Sequence, residues 1–364
     1  MRRTIPAALA VVAARTLLVL LAARFGALYR ERAGYPMRTD VLADPGDMGL
    51  PWEPVAIPSA GRDLPGWFVP GVGEEPRPVV VLIHGWSSNR ARMLPFAAFL
   101  RTAGFHTLSF DVRGHGENPP EVLPVTAVEF GADALAAVDA ISARPGVSGV
   151  AVLGHSMGGA GATLAAAARP GIGALVIMSA PADPRLLIRE TFRMADLPLP
   201  GLVAHPLAWV SLRSLLRPRG HRARDASARR ALAAYPGPVL LVQGDADELL
   251  PLRDLRLLER AALSRGPQAE SEILVVHDGH HRWLYEDAEF RRTVAAFLAR
   301  HLVGPLAAED AGAAAAAVPV VRPPDAGGSL IPTRAPRVRR GAATTSAAAA
   351  AAPSQRPLGY CQRK

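Results

Sequence analysis

The sequence predicts an α/β protein, a mostly parallel eight-stranded sheet covered by helices on both faces and interrupted late by a helical insertion. Three observations support that class. Short apolar runs rich in Val, Ile and Leu recur along the chain and read as buried strands. Amphipathic stretches of helical period fall between the later runs. The pentapeptide Gly154-His155-Ser156-Met157-Gly158 sits where one such run ends and a small-residue helix begins.

In chain order, strands are expected at Pro54–Ile57, Gly66–Val69, Val79–Ile83, Thr107–Phe110, Val150–Leu153, Leu175–Met178, Val239–Val242 and Glu272–Val276. The first two, in the Trp52–Val69 region, look like a hairpin and belong at an antiparallel edge. Helices are expected at Arg90–Thr102, Ala127–Ala143, Met157–Ala168, Leu252–Leu263 and Ala288–His301. The alternation fails between Asp183 and Gly237, where prolines punctuate short helical pieces and no strand is convincing. A connection this long in a compact domain carries structure of its own. Its leucines, Phe192 and Trp209 suit a helical lid (183–237) over the carboxyl ends of the strands, walling a binding pocket. The folded domain is expected to span 50–303.

Both termini differ from this body. The chain of 364 residues carries a net charge of +9, but the excess arginine lies in residues 1–40 and 303–364, leaving the middle close to neutral. A basic face for nucleic acid is therefore not expected. Residues 1–35 hold an apolar stretch, Ile5 to Tyr29, interrupted by Arg15 and Arg24. A bilayer-spanning helix needs about 20 mostly apolar residues, and an arginine at its centre costs about 2.5–3.5 kcal/mol. A membrane anchor, a poorly cleaved signal sequence and a surface-lying amphipathic helix all fit; membrane association is expected, and sidedness is open. Residues 305–364 are rich in Ala, Pro and Arg and are expected to be disordered. Cys361, the sole cysteine, lies in this tail, which excludes an intrachain disulfide and a thiol nucleophile in the folded domain.

A serine hydroxyl is a weak nucleophile at neutral pH and needs a base, which in turn needs an orienting acid. Candidates for both follow strands downstream of Ser156. One strand runs into Gly244-Asp245-Ala246-Asp247-Glu248, another into His277-Asp278-Gly279-His280-His281. The order Ser, Asp, His is that of an α/β-hydrolase. With Val81-Leu82-Ile83-His84-Gly85-Trp86 and Phe110-Asp111-Val112-Arg113-Gly114-His115-Gly116, residues 52–302 resemble an α/β-hydrolase of the serine esterase, lipase and aminopeptidase-like kind.

The resemblance implies Ser156 as nucleophile, Asp247 in preference to Asp245 as the acid, and His280 in preference to His281 as the base. His277 is expected to be structural. It also implies an oxyanion hole of the backbone N–H groups of Trp86 and Met157, with His84 shaping the loop and the Asp111–Gly116 segment acting as a structural turn. Arg90 and Arg92 are expected at a solvated helix surface. Neither metal nor organic cofactor is implied: the histidines lack a ligand spacing with a fourth partner, and Gly158-Gly159-Ala160-Gly161 lacks nucleotide-fingerprint spacing. The expected substrate is a small, moderately apolar carboxylic ester cleaved through an acyl-enzyme. An amide substrate, or a non-catalytic binding protein on the same scaffold, are the alternatives.

Overall fold

The computed structural model describes residues 4–324 apart from 75, 198 and 305. Along it run α1 (Thr4–Ala33), β1 (Glu53–Ser59), β2 (Arg62–Val69), β3 (Arg77–Ile83), α2 (Leu94–Thr102), β4 (His106–Phe110), α3 (Ala127–Ser142), β5 (Val147–His155), α4 (Met157–Ala168) and β6 (Ile172–Met178). There follow α5 (Pro184–Met194), α6 (Gly201–Leu216), α7 (Ala228–Leu232), β7 (Val239–Gly244), α8 (Leu252–Leu263), β8 (Ser271–Val276), α9 (Ala288–His301) and α10 (Ala308–Ala316). The sheet has eight strands in the order β1-β2-β4-β3-β5-β6-β7-β8. β2 runs antiparallel to both its neighbours, β1 and β4; every pair across the sheet from β4 to β8 is parallel. The predicted class, strand set and antiparallel edge are those of the structure.

Strand periodicity divides the core into two layers. Val79, Val81 and Ile83 of β3 face one layer with Phe130 and Ala134 of α3, Ala160 of α4, Leu232 of α7 and Leu258 of α8. Val80 and Leu82, one residue out of phase, face the other with Phe96 and Phe99 of α2 and Phe290, Val294 and Phe297 of α9. All of β3 is buried, which is why Val79–Ile83 reads as an unbroken apolar run. The helix starts follow local chemistry: Thr126 and Glu129 form a reciprocal capping box for α3, and Asp287 accepts from Phe290 N at 2.8 Å to start α9.

Between β6 and β7 the described residues form no strand; they form α5, α6, α7 and a 3₁₀ turn at Arg217–Arg219. At the N-terminus α1 is a single 30-residue helix. Its outer part exposes Leu9, Val11, Val12, Leu17, Leu18, Val19, Leu20 and Leu21, whereas from Phe25 onward it packs against the body.

The tail departs from the expected disorder at its near end. α10 lies on α9 with Ala311 and Ala315 fully buried, and Arg291 donates to the carbonyls of Ala315 and Ala316 at 3.2 and 2.8 Å, closing the helix C-terminus. Alanine is the strongest helix former, and its small side chain permits close helix approach, so low complexity here does not mean disorder. The rest of the predicted tail, 325–364, lies outside the described residues.

Candidate active site

β5 delivers Ser156 to the carboxyl edge of the sheet, and the chain then turns sharply into α4. Ser156 adopts φ 56° and ψ −122°, a conformation that costs a non-glycine residue about 1–3 kcal/mol. Tight packing enforces it: a Cβ on Gly154 would overlap the Gly158 carbonyl, and one on Gly158 would overlap the carbonyls of Ile83 and His84. The turn is further pinned by Ser156 N donating to Met178 O at 2.8 Å. A Cβ on Gly85 would stand 3.2 Å from Ser156 Cβ, so the loop after β3 lies directly beside the serine.

That loop is held from behind. Val112 N donates to His84 Nε2 at 3.0 Å, which leaves Nδ1 carrying the proton and donating to Gly85 O at 2.8 Å. Burial lowers the His84 pKa to about 4, so this imidazole stays neutral near pH 7. In a trans peptide the C=O and the following N–H point in opposite directions. Anchoring the Gly85 carbonyl to His84 therefore turns the Trp86 N–H the other way. Trp86 itself lines the cavity, as does Met157.

Arg90 departs from its expected surface position. Its guanidinium is buried and paired with Asp111, with Glu117 as second partner at 2.7 Å. Asp111 also accepts from Arg90 N at 2.7 Å and Glu117 N at 3.0 Å, tying the loop after β3 to the turn after β4. Arg113 forms a buried fork on Asp133. Both charged groups of the Asp111–Gly116 turn are thus consumed in structural pairs.

At the end of β7, Asp247 is buried and accepts from Leu249 N at 2.9 Å, Leu250 N at 2.8 Å and His281 Nδ1 at 2.8 Å. Burial alone would raise its pKa, but the bond to His281 and the two backbone donors outweigh this and hold the carboxyl below its ordinary range. Asp245, the rejected alternative, turns outward and meets exposed His277 at 2.9 Å.

Of the adjacent pair, the structure brings His281 and not the expected His280 to Asp247. His280 is exposed and directed at Glu248 at 3.4 Å, whereas His281 is buried, bonded to Asp247 and on the wall of the cavity that holds Ser156. The physical reason lies in the turn after β8. The Gly279 carbonyl accepts from Ala246 N at 3.0 Å, which clamps the turn onto the end of β7. His280 then leaves toward solvent and the next residue swings inward. The three histidines of this turn therefore face three different carboxylates and do not converge on a common point.

Reading the sequence missed His155 altogether. It was the variable position of the pentapeptide, yet its Nε2–H donates to His281 O at 2.7 Å and its ring lies 4.9 Å from the His281 ring. Burial, reinforced by the neighbouring His281, lowers its pKa to about 3 and keeps it neutral. A histidine in that position, followed by a strand-end histidine, was the available signal.

The cavity holds about 710 Å³ and is lined mainly by apolar side chains from α1, α5 and α6, including Phe25, Leu187, Ile188, Phe192, Leu212 and Leu215. Among the described lining residues the charged ones are Arg32, Arg92 and Arg282, and no carboxylate lines it. The structure thus brings a strained elbow serine and a carboxylate-held imidazole to one apolar cavity.

Sheet order, elbow and cavity together define the α/β-hydrolase class. A family model described as serine aminopeptidase, S33, matches residues 74–215. A monoacylglycerol lipase of Mycolicibacterium smegmatis is 30% identical over 244 residues, covering 59% of this chain and 84% of that one. Human Protein ABHD12B is 32% identical over 130 residues, and the chain spans only 34% of its length, as the match spans 34% of this chain. The Pyrococcus furiosus esterase Pf2001 superposes with a TM-score of 0.58 at 21% identity, over 74% of this chain and 98% of that one, a likeness of fold. The chain belongs to the α/β-hydrolase superfamily and is a hydrolase.

Proposed function

We propose that this protein is a membrane-associated serine hydrolase that cleaves a moderately apolar carboxylic ester through an acyl-enzyme. The observation that carries this reading is His281, on the wall of the cavity that holds the elbow serine and bonded from behind by the buried Asp247 carboxylate. Ser156 Oγ attacks the carbonyl carbon while His281 takes its proton. The tetrahedral oxyanion is received by the N–H groups of Trp86 and Met157, a type of donor worth about 10²–10³ in rate. The C–O bond then breaks, and His281 returns the proton to the departing alcohol. Water, activated by the same imidazole, releases the acid. Asp247 holds the ring in the Nδ1–H tautomer throughout.

An amide substrate is the second reading, favoured by the family description. An aminopeptidase must hold a substrate α-ammonium, which calls for a carboxylate in the pocket. The charged lining supplied by Arg32, Arg92 and Arg282 has the opposite sign, which supports the ester. The relative named monoacylglycerol lipase points the same way. Association with lipid is supported by the exposed apolar outer part of α1, of mean hydropathy 2.0 over its most apolar window. Turnover of p-nitrophenyl acyl esters against aminoacyl p-nitroanilides tests the choice of bond. Ester turnover abolished by Ser156→Ala is the expected result; faster anilide turnover overturns the ester assignment.

A further inference from the structure

The helix that carries the exposed apolar segment is also part of the cavity. Phe25, Leu28, Tyr29, Arg32 and Ala33, all in the last turns of α1, line the space that contains Ser156. These turns are built into the body. Gly26 crosses α6 so closely that a Cβ there would stand 3.1 Å from Val210 Cγ1 and 3.3 Å from Ser214 Cβ. The rings of Phe25 and Tyr29 both meet Phe192 of α5 edge to face, with centroids 6.0 and 5.7 Å apart. Thr191 donates its hydroxyl proton to Ile188 O at 2.7 Å, so at the 2.9 Å contact Tyr29 OH is the donor to Thr191 Oγ1. The N-terminal helix is therefore locked to α5 and α6 by ring packing, close backbone approach and a hydrogen bond.

Resting on the ester-hydrolase reading above, we propose that the last turns of α1 are the acyl-chain selector of this enzyme. Phe25, Tyr29 and Ala33 set how much of the cavity a hydrocarbon chain can occupy. The partner chemistry is a long, unbranched acyl chain. The charge around it is consistent with this, since α1 presents apolar and aromatic groups to the cavity and only Arg32 adds charge. The same rigid helix continues outward into the exposed segment Leu9–Leu21, so a chain dissolved in a lipid layer and the wall that receives it belong to one element. Deleting or displacing α1 would then change which substrate is selected as well as where the protein resides.

The test uses the full chain with two substitutions of opposite sense, Ala33→Phe to fill the cavity and Phe25→Ala to enlarge it. The first readout is kcat/KM for p-nitrophenyl esters from acetate to hexadecanoate. The second is the affinity for cis-parinaric acid, a fluorescent long-chain fatty acid, measured on the Ser156→Ala background so that it does not depend on turnover. Ala33→Phe is expected to lower the dodecanoate-to-acetate ratio by about tenfold or more and to weaken parinarate by a similar factor. Phe25→Ala is expected to move the preferred ester toward longer chains. Uniform changes across the ester series together with unaltered parinarate affinity would overturn the selector while leaving the hydrolase reading intact. Failure of every ester with parinarate affinity still dependent on Phe25 and Ala33 would overturn the hydrolase reading and keep the wall. Thermal melts identify a variant that fails to fold, and the other substitution then decides.

Discussion

The imidazole of His155 donates a 2.7 Å hydrogen bond to the main-chain carbonyl of His281, linking the residue before the elbow serine to the residue that carries the proposed base. The two strand ends that must converge are thereby fastened to each other without passing through the reacting atoms. His155→Phe keeps the ring and loses the donor. We expect kcat to fall by about tenfold to a hundredfold with a smaller change in KM, because misplacing a catalytic group by about 1 Å has effects of that size. Steady-state kinetics on a short soluble ester provide the check.

Adjacent histidines make a sharp contrast. His281→Ala removes the group bonded to Asp247 and is expected to reduce ester turnover by about 10⁴–10⁶. His280→Ala, at an exposed position beside Glu248, is expected to stay within about threefold of the parent. Parallel kcat/KM measurements at neutral pH distinguish them.

The buried imidazoles set an acid limit on stability. His84 titrates at about 4, and His115 and His155 at about 3, each lowered chiefly by burial. The unfolded chain takes up these protons near pH 6.5, so their contribution is fully present above that value. It is lost as pH falls toward the folded values, at about 1.4 kcal/mol per pH unit for each proton. Asp247, held below its ordinary range, adds to the loss only at lower pH still. Urea melts at intervals between neutrality and pH 4.5 should show a midpoint that drops throughout the window.

Asp111 and Arg90 form a buried pair joining two loops at the rear of the site. Asp111→Asn removes the buried carboxylate and leaves the guanidinium only the exposed Glu117 as counter-charge, and is expected to cost about 1.5–3 kcal/mol, the usual range for losing a hydrogen bond to a charged group. Chemical denaturation with an unchanged m-value measures it.

Exposed leucines and valines of outer α1 predict sedimentation with lipid. Replacing Leu17 and Leu20 together by Arg adds about 5–7 kcal/mol of insertion cost on the translocon scale and is expected to release the full chain from neutral phosphatidylcholine vesicles in a flotation assay. Retention of the double variant on the vesicles contradicts lipid insertion of this segment.

Much of this architecture was legible in the residues because the sheet is buried on both faces. Strands such as β3 and β6 then appear as unbroken apolar runs, and the bounds of α4, α8 and α9 follow from their periodicity and flanking residues. The elbow was equally visible, since its glycines answer a local steric demand. What stayed hidden depends on long-range packing. The choice between His280 and His281 is made by a clamp from Ala246 onto Gly279, a contact across two strands. Arg90 looked like a surface residue because its partner Asp111 lies on another strand end. The role of α1 as cavity wall depends on α5 and α6, and the order of α10 on the complementary surface of α9; no spacing within either segment announces them.

The central claim is that Ser156, His281 and Asp247 act as one unit. Its most direct test is the rate at which a fluorophosphonate probe phosphonylates the protein, with the modified peptide mapped by mass spectrometry. The account predicts one adduct, on Ser156, absent in Ser156→Ala, slowed by about 10³ or more in His281→Ala and nearly unchanged in His280→Ala. An adduct on another residue, or a rate that depends on His280 and ignores His281, would contradict it.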